Sequence, residues 1–104
     1  MLWKIDLTPS ALKDLKRIEE YYEQIDVDYA RALIKKLFAR FETLSQLPHR
    51  GSKPKLNQLR GYLQVLEKPY RILYRIEKSA QIVYVVAVIH HSQDFLQVWR
   101  SSPR

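Results

Sequence analysis

The fold is decided by the stretch YRILYRIEKSAQIVYVVAVIHHSQDF, which runs from Tyr70 to Phe95. It holds two runs rich in β-branched and aromatic residues, Tyr70–Glu77 and Ile82–His90, separated by the polar turn KSAQ. Two such runs around a short turn predict an antiparallel β-hairpin. Because Ile82–Ile89 is apolar at every position, we expect it to be a central strand that is covered on both faces.

Two amphipathic helices are predicted upstream of this hairpin. Thr8 is a suitable N-cap, and Pro9 suits the first helical position, where its missing N–H costs nothing. Asp26 and Asp28 are candidate caps for the second helix, which should end near Leu47 because Pro48 disfavours helical backbone in the residue before it. Spacings of three and four residues predict one buried stripe on each helix. The stripes are Ala11, Leu15, Ile18, Tyr22 and Ile25 in the first helix, and Ala30, Leu33, Leu37, Phe41 and Leu44 in the second.

Two further strands complete the predicted order. Leu2–Leu7 alternates apolar and polar residues, and Gly61–Leu66 lies just before the hairpin. The order β-α-α-β-β-β predicts an α+β fold, in which a helix hairpin packs on an antiparallel sheet. We expect a single domain over residues 1–104, with a short tail at residues 91–104 that has room for one helical turn. The helix hairpin would cover one face of the sheet, and a partner could cover the other.

Composition limits the chemistry and the location of the protein. The chain has 104 residues, enough for one domain with one core. It has no cysteine, which rules out disulfides and thiolate metal ligands. The apolar run Ile82–Ile89 is far shorter than the roughly 20 residues that span a bilayer, and the N-terminal MLWKIDL is too short for a signal sequence. We therefore expect a cytoplasmic protein with no membrane partner and no cofactor.

The charge of the chain predicts an anionic partner. The formal net charge is +7, and no acidic residue occurs between Thr43 and Leu66. We interpret this stretch as an exposed basic loop whose cations form a binding patch rather than a merely solubilising surface. Its cations are Arg50, Lys53, Lys55 and Arg60, and the tail adds Arg100 and Arg104.

His90 and His91 are candidates for catalysis, for metal binding or for a structural role. A metal site is disfavoured because adjacent strand residues point to opposite faces of a sheet. If Glu77 pairs with Ile82, Arg71 lies opposite Val88, and His90 is its diagonal neighbour on the same face. Such a pair could bind a phosphate and serve RNA cleavage, and a one-residue slip would bring in His91 instead. The alternative, which we favour, is that His90 hydrogen-bonds within the fold and anchors the tail.

These features together resemble toxins of the RelE/ParE superfamily, the toxin halves of bacterial type II toxin–antitoxin pairs. The resemblance covers nearly the whole chain and has four parts: the helix ending LIKKLFARFETLSQLPHRG, the strand YRILYRI, the strand IVYVVAVIHHSQDF, and a Trp-Arg near the C-terminus. It implies the α+β fold derived above and a cognate antitoxin that wraps the toxin. Operator DNA would be reached only through that antitoxin.

The superfamily has two branches with different targets. RelE-like toxins cleave mRNA in the ribosome, whereas ParE-like toxins poison DNA gyrase. Arg71 matches a phosphate-binding arginine of the RelE-like branch, but Val98 and Trp99 occupy the region of its C-terminal catalytic tyrosine. A strand ending in His and a short polar stretch, as in VIHHSQD, is common in the ParE-like branch. The resemblance therefore favours a gyrase inhibitor that performs no chemistry of its own; a RelE-like endonuclease using Arg71 and His90 or His91, and a degenerate non-toxic member, remain the alternatives.

Three contact surfaces follow from these predictions. The resemblance implicates the C-terminal region in gyrase poisoning, and Phe95, Trp99 and Arg100 are the predicted target-binding residues, although the aromatic pair could equally fold back onto the sheet. Ile34 and Phe38, on the second face of the second helix, could form a groove for an antitoxin helix, or could simply be core. The predicted anion-binding set is Arg50, Lys53, Lys55, Arg60 and Arg71.

Overall fold

The computed structural model describes residues 2–101 of the chain, and Arg104 of the predicted tail lies outside this range. Two single-turn 3-10 helices, Pro48–Arg50 and Asn57–Leu59, lie in the loop after the second helix. No helix in the range 2–101 combines the length and apolarity that crossing a bilayer requires. The elements in chain order are β1 (Lys4–Leu7), α1 (Pro9–Glu23), α2 (Val27–Gln46), β2 (Leu63–Glu67), β3 (Tyr70–Glu77), β4 (Ile82–His90) and α3 (Phe95–Ser101).

The helix hairpin forms as its caps and stripes predict. The Thr8 hydroxyl accepts the Ala11 N–H at the start of α1, and the Asp26 carboxylate accepts the Tyr29 N–H at the start of α2. All five stripe residues of α2 are buried, and Leu33, Leu37, Phe41 and Leu44 belong to the core that they share with the sheet. In α1 the stripe is shorter than predicted, because the helix ends at Glu23 and Ile25 lies in the connection, where it is 67% exposed.

The sheet has the strand order β1-β4-β3-β2, which places β4 at its centre as predicted. The pairs β2–β3 and β3–β4 are antiparallel, but β1 pairs with β4 in parallel. The sheet is therefore mostly, and not wholly, antiparallel. A parallel pair is possible because β1 and β4 are far apart in the chain, separated by the helix hairpin, β2 and β3 rather than by a tight turn.

A β-bulge in the β3–β4 hairpin changes which residues share a face. Glu77 pairs with Ile82 as expected, but the register shifts between Leu73 and Tyr74. Tyr74 pairs with Val85 and Leu73 with Ala87, so Val86 is the extra residue of β4.

The prediction that Arg71 lies opposite Val88 is therefore wrong. Arg71 lies opposite Ile89, and Tyr70 is the residue opposite His90. The bulge moved Arg71 and His90 to different faces of the sheet, because one inserted residue reverses the alternation of side chains beyond it.

Helix α1 also completes the sheet beside the central strand. The pairing of β1 with β4 ends at Leu7 and Val85. Beyond it, Ser10 donates its hydroxyl hydrogen to the Val86 carbonyl (2.9 Å), and the Asp14 carboxylate accepts the Val88 N–H (2.9 Å). Both side chains are buried. Two polar side chains of α1 thus satisfy backbone groups of β4 that lie beyond the end of the pairing with β1.

The two faces of the sheet carry separate cores. The helix hairpin covers the face of Ile72, Tyr74, Val83 and Val88. The opposite face is covered by the chain itself: Phe95, Val98 and Trp99 of α3 pack with Tyr62 onto a second cluster. The members of that cluster are Leu59, Leu73, Val86, Ala87 and Ile89. The expectation that β4 is covered on both faces is confirmed, and α3 provides the cover for which the sequence suggested a partner.

Candidate functional site

The two histidines lie side by side where β4 ends. Their rings stack with centroids 4.8 Å apart, because His91 follows the last strand residue and no longer obeys the strand alternation. The reasoning that placed them on opposite faces was therefore wrong for this pair. Within residues 2–101 there is no group of three His, Asp or Glu side chains placed to hold a metal ion.

Both rings are held by hydrogen bonds within the fold. The His90 Nδ1 accepts the Ser92 N–H at 3.1 Å and lies 2.7 Å from the Ser92 hydroxyl oxygen, while its ring packs edge-on against Tyr70. The His91 Nδ1 donates to the Pro69 carbonyl at 2.9 Å, since that oxygen can only accept. Through these contacts the His90 ring is held against Ser92 in the turn that leads from β4 into α3.

Arg71 lies on the other side of the sheet, beneath α3. Its guanidinium carbon is 5.2 Å from the centre of the Phe95 ring, a cation–π contact. Its Nε is buried and has no hydrogen-bond partner among residues 2–101. Arg71 and His90 therefore point to opposite faces of the sheet. Arg71 is also not part of the basic loop, although the predicted anion-binding set included it with the cations of that loop.

Helix α3 packs on the sheet through two aromatic residues and carries one charged residue, Arg100. Phe95 and Trp99 stack on each other with their centroids 6.0 Å apart, and Trp99 meets Tyr62 edge-on at 5.3 Å. Both α3 rings are half-buried, whereas Arg100 is exposed. The aromatic pair therefore attaches the helix to the sheet, and Arg100 is the predicted target-binding residue that is free to meet another protein.

The exposed basic loop contains a cleft of about 440 Å³. Lys53, Lys55 and Arg60 line it together with Leu56, Leu59 and Tyr62, and we refer to it as the basic cleft. All three cations are exposed. Arg50 is exposed as well, although it is not among the lining residues. The structure thus brings together three of the five predicted anion-binding residues.

The predicted antitoxin groove on α2 is partly apolar surface. Phe38 is 43% exposed and rests edge-on against Phe41, with centroids 5.3 Å apart. Ile34 is half-buried and packs on the main core. Phe38 therefore offers a surface to a partner, and Ile34 belongs mainly to the fold.

One cleft was not predicted from the sequence. It lies between α1, the end of β4 and α3, has a volume of about 370 Å³, and is lined by Asp14, Arg17, Tyr21, Tyr22, Tyr70 and His90 among others. Burial, and secondarily a hydrogen bond with Tyr22, raises the pKa of the Tyr70 hydroxyl well above its ordinary value. The tyrosines near the helix junction were visible in the sequence. Their convergence on His90 depends on the bulged register and could not be read from it.

This arrangement defines a class of protein. Helices packed on a four-stranded, mostly antiparallel sheet are the fold that this chain shares with solved toxins of the RelE/ParE type. Residues 5–95 match the family model described as the ParE toxin of the type II toxin–antitoxin system, parDE. The chain belongs to this family.

Known proteins from both branches are similar to the chain. The candidate toxin Y4kP of Sinorhizobium fredii is 30% identical over 95 residues, which cover 91% of this chain and 95% of that protein. The chromosomal ParDE system of P. aeruginosa superposes with a TM-score of 0.72 at 16% identity, covering 86% of this chain and 96% of the other. The RelBE2 toxin–antitoxin complex of Mycobacterium tuberculosis gives a TM-score of 0.62 at 26% identity, covering 86% and 99%. The first of these superpositions shows the fold alone.

Proposed function

We propose that this toxin acts in the cytoplasm by binding DNA gyrase and trapping it on cleaved DNA, and that a cognate antitoxin neutralises it. On this proposal the protein performs no chemistry itself. Its surface alters the enzyme that it binds. The gyrase assignment draws on the resemblance to the ParE-like branch and on the match to the ParE toxin family over residues 5–95.

The separation of Arg71 from His90 is the observation that carries the proposal. Cleavage of RNA needs a base or acid and a cation that converge on one phosphate. Here Arg71 is covered by Phe95 on one face of the sheet, and His90 packs on Tyr70 on the other. The Nδ1 of His90 is also occupied by the Ser92 N–H. This favours a binding function over catalysis by the pair that the sequence put forward.

Helix α3 is the surface that we assign to gyrase. Arg100 is exposed in its last turn, and arginine is among the residues that most often dominate protein interfaces. Phe95 and Trp99 would act by holding the helix in place, since both rings are already engaged with the second core. Loss of Arg100 should therefore weaken gyrase binding without unfolding the protein.

The antitoxin would occupy the surface around Phe38. An amphipathic helix could place an apolar side chain against this exposed ring by the helix-in-groove mode. Two of the similar structures, the RelBE2 complex of M. tuberculosis and the RelBE complex of Escherichia coli, are themselves toxin–antitoxin complexes. We propose that operator DNA is read only by the antitoxin within such a complex.

One feature favours a second candidate, a ribosome-dependent mRNA endonuclease. His90 lines the 370 Å³ cleft together with Arg17, so an imidazole and a cation do share one cavity there. If this cleft cleaves RNA, His90→Ala should abolish toxicity. If gyrase is the target, toxicity should survive that change.

The test is induction of the chain in growing bacteria that carry a reporter plasmid. The wild type, His90→Ala, Arg100→Ala and the control Lys78→Ala, which removes an exposed cation from the β3–β4 turn, are compared. We expect growth arrest with linear plasmid for the wild type, His90→Ala and Lys78→Ala, and a clear loss of both effects for Arg100→Ala. Arrest without any change in plasmid topology, accompanied by cleaved mRNA and lost in His90→Ala, would overturn the gyrase proposal in favour of the endonuclease.

A further inference from the structure

The basic cleft carries an excess of positive charge that nothing in the described chain neutralises. Glu42 and Glu67 are the acidic residues that flank the loop, with none between them. Within residues 2–101 the two ion pairs are Lys16–Glu20 and Lys36–Glu67, and neither involves a cation of the cleft. Three exposed cations around one concave surface attract an anionic ligand and raise its local concentration.

The cleft is held in a fixed shape rather than formed by a loose loop. Ser52 and Gln64 exchange two backbone hydrogen bonds of 2.9 Å, which tie the start of the loop to β2. The buried Tyr74 hydroxyl donates to the Pro48 carbonyl at 2.8 Å and accepts the Gly51 N–H at 2.9 Å. A turn at Gly61, whose φ of 89° favours glycine, leads the far side of the cleft into β2. A backbone that is held in this way loses less freedom when a ligand binds.

We infer that the basic cleft binds the phosphate backbone of duplex DNA without regard to sequence. Exposed lysines and arginines contact phosphates but read no bases, which gives affinity without sequence preference. An acidic polypeptide would gain from exposed apolar anchors as well. Among the described residues Leu56, at 36% exposure, is the one large exposed apolar side chain in the lining of the cleft. The more exposed ones of the helix hairpin lie outside it; they are Leu12, Tyr21, Ile25, Val27, Tyr29 and Phe38. This binding goes beyond the proposed function, because it needs neither gyrase nor the antitoxin.

The charge count fixes the expected salt dependence. With the three cations of the cleft and Arg50 each neutralising one phosphate, log K should fall with log salt at a slope of about −3.6. Affinity would then drop about 150-fold between about 50 and 200 mM salt. Removing the three cleft cations should leave a slope of about −0.9 and weaken binding about 500-fold at about 0.1 M salt.

The experiment is fluorescence anisotropy of a short labelled DNA duplex titrated with the full chain at several salt concentrations. Thermal unfolding of each variant verifies that it is folded. The cleft variant carries Lys53→Gln, Lys55→Gln and Arg60→Gln. The control variant loses three exposed cations elsewhere, and so has the same net charge: Lys13→Gln, Lys35→Gln and Lys78→Gln.

The inference predicts the steep slope for the wild type and the control variant, and the shallow slope for the cleft variant. Equal loss in the two variants would overturn it, because net charge rather than the cleft would then govern binding. Tighter binding of the same sequence as a single strand would overturn the assignment to duplex DNA. No binding to DNA, together with tight binding of a labelled poly-glutamate peptide that the cleft variant loses, would overturn it in favour of an acidic protein partner. The anisotropy experiment contains no gyrase. Its outcomes therefore do not depend on whether the proposed gyrase function is correct.

Discussion

The Tyr74 hydroxyl should contribute measurably to stability, and Tyr74→Phe tests this directly. The side chain is fully buried, and its oxygen makes two hydrogen bonds, as donor to the Pro48 carbonyl and as acceptor from the Gly51 N–H. Phe fills the same space but leaves both backbone groups without a partner. Leaving the buried Pro48 carbonyl unpaired should cost about 1–3 kcal/mol of folding stability. Leaving the less buried Gly51 N–H unpaired should cost about 0.5–1 kcal/mol more.

We therefore expect the free energy of unfolding to fall by about 2–3 kcal/mol. For a domain of this size the melting temperature should drop by about 10–20 °C. Urea unfolding followed by circular dichroism measures the change. Tyr84→Phe is the matched control, because the Tyr84 ring packs on Arg75 (4.3 Å to the guanidinium carbon) and its hydroxyl makes no hydrogen bond to any residue of the range 2–101. A Tyr74→Phe variant as stable as this control would refute the view that the hydroxyl pins the basic loop to the sheet.

Three further predictions concern stability. Asp14→Ala removes the acceptor of the buried Val88 N–H and should lower the free energy of unfolding, measured in urea, by about 1.5–3 kcal/mol. Asp14→Asn keeps an acceptor oxygen and should lower it less. Equal losses in the two variants would contradict this role of Asp14. Burial raises the pKa of Tyr70 and Tyr74 above the ordinary 10.0, so the folded chain holds these protons more tightly than the unfolded one. Stability should be unaffected below about pH 10 and fall above it by up to about 1.4 kcal/mol per pH unit for each tyrosine, and a flat profile of melting temperature would count against the burial of both rings. Trp99→Ala should lower stability by about 2 kcal/mol because the ring helps to attach α3, and an unchanged melting temperature would show that α3 docks without it.

Much of this fold could be predicted because local patterns and tertiary packing agree. The α2 stripe from Ala30 to Leu44 and the bounds of β3 and β4 follow from periodicity and turn residues alone. The prediction that Ile25 is buried in the first helix was wrong, because a stripe of apolar residues does not show where its helix ends. Gln24 caps the end of α1, and Asp26 caps the start of α2. Ile25 lies between the two caps, in the solvent-exposed connection.

The candidate site was harder to predict because it depends on register. The turn pairing of Glu77 with Ile82 was correct, yet one extra residue at the bulge reversed the relation between Arg71 and His90. A bulge has no reliable sequence signal when neither strand contains a glycine at that point. The basic cleft, by contrast, could be anticipated, since exposed like charges on one loop need no long-range register to lie together.

The central claim is that this toxin acts on gyrase through α3, and a supercoiling assay tests it most directly. Purified gyrase, ATP and relaxed plasmid are incubated with the wild-type chain, with Arg100→Ala and with the control Lys78→Ala. The account predicts inhibited supercoiling and accumulation of linear plasmid with the wild type and Lys78→Ala, and a clear reduction of both with Arg100→Ala. Normal supercoiling in the presence of folded chain that arrests growth in cells would contradict it.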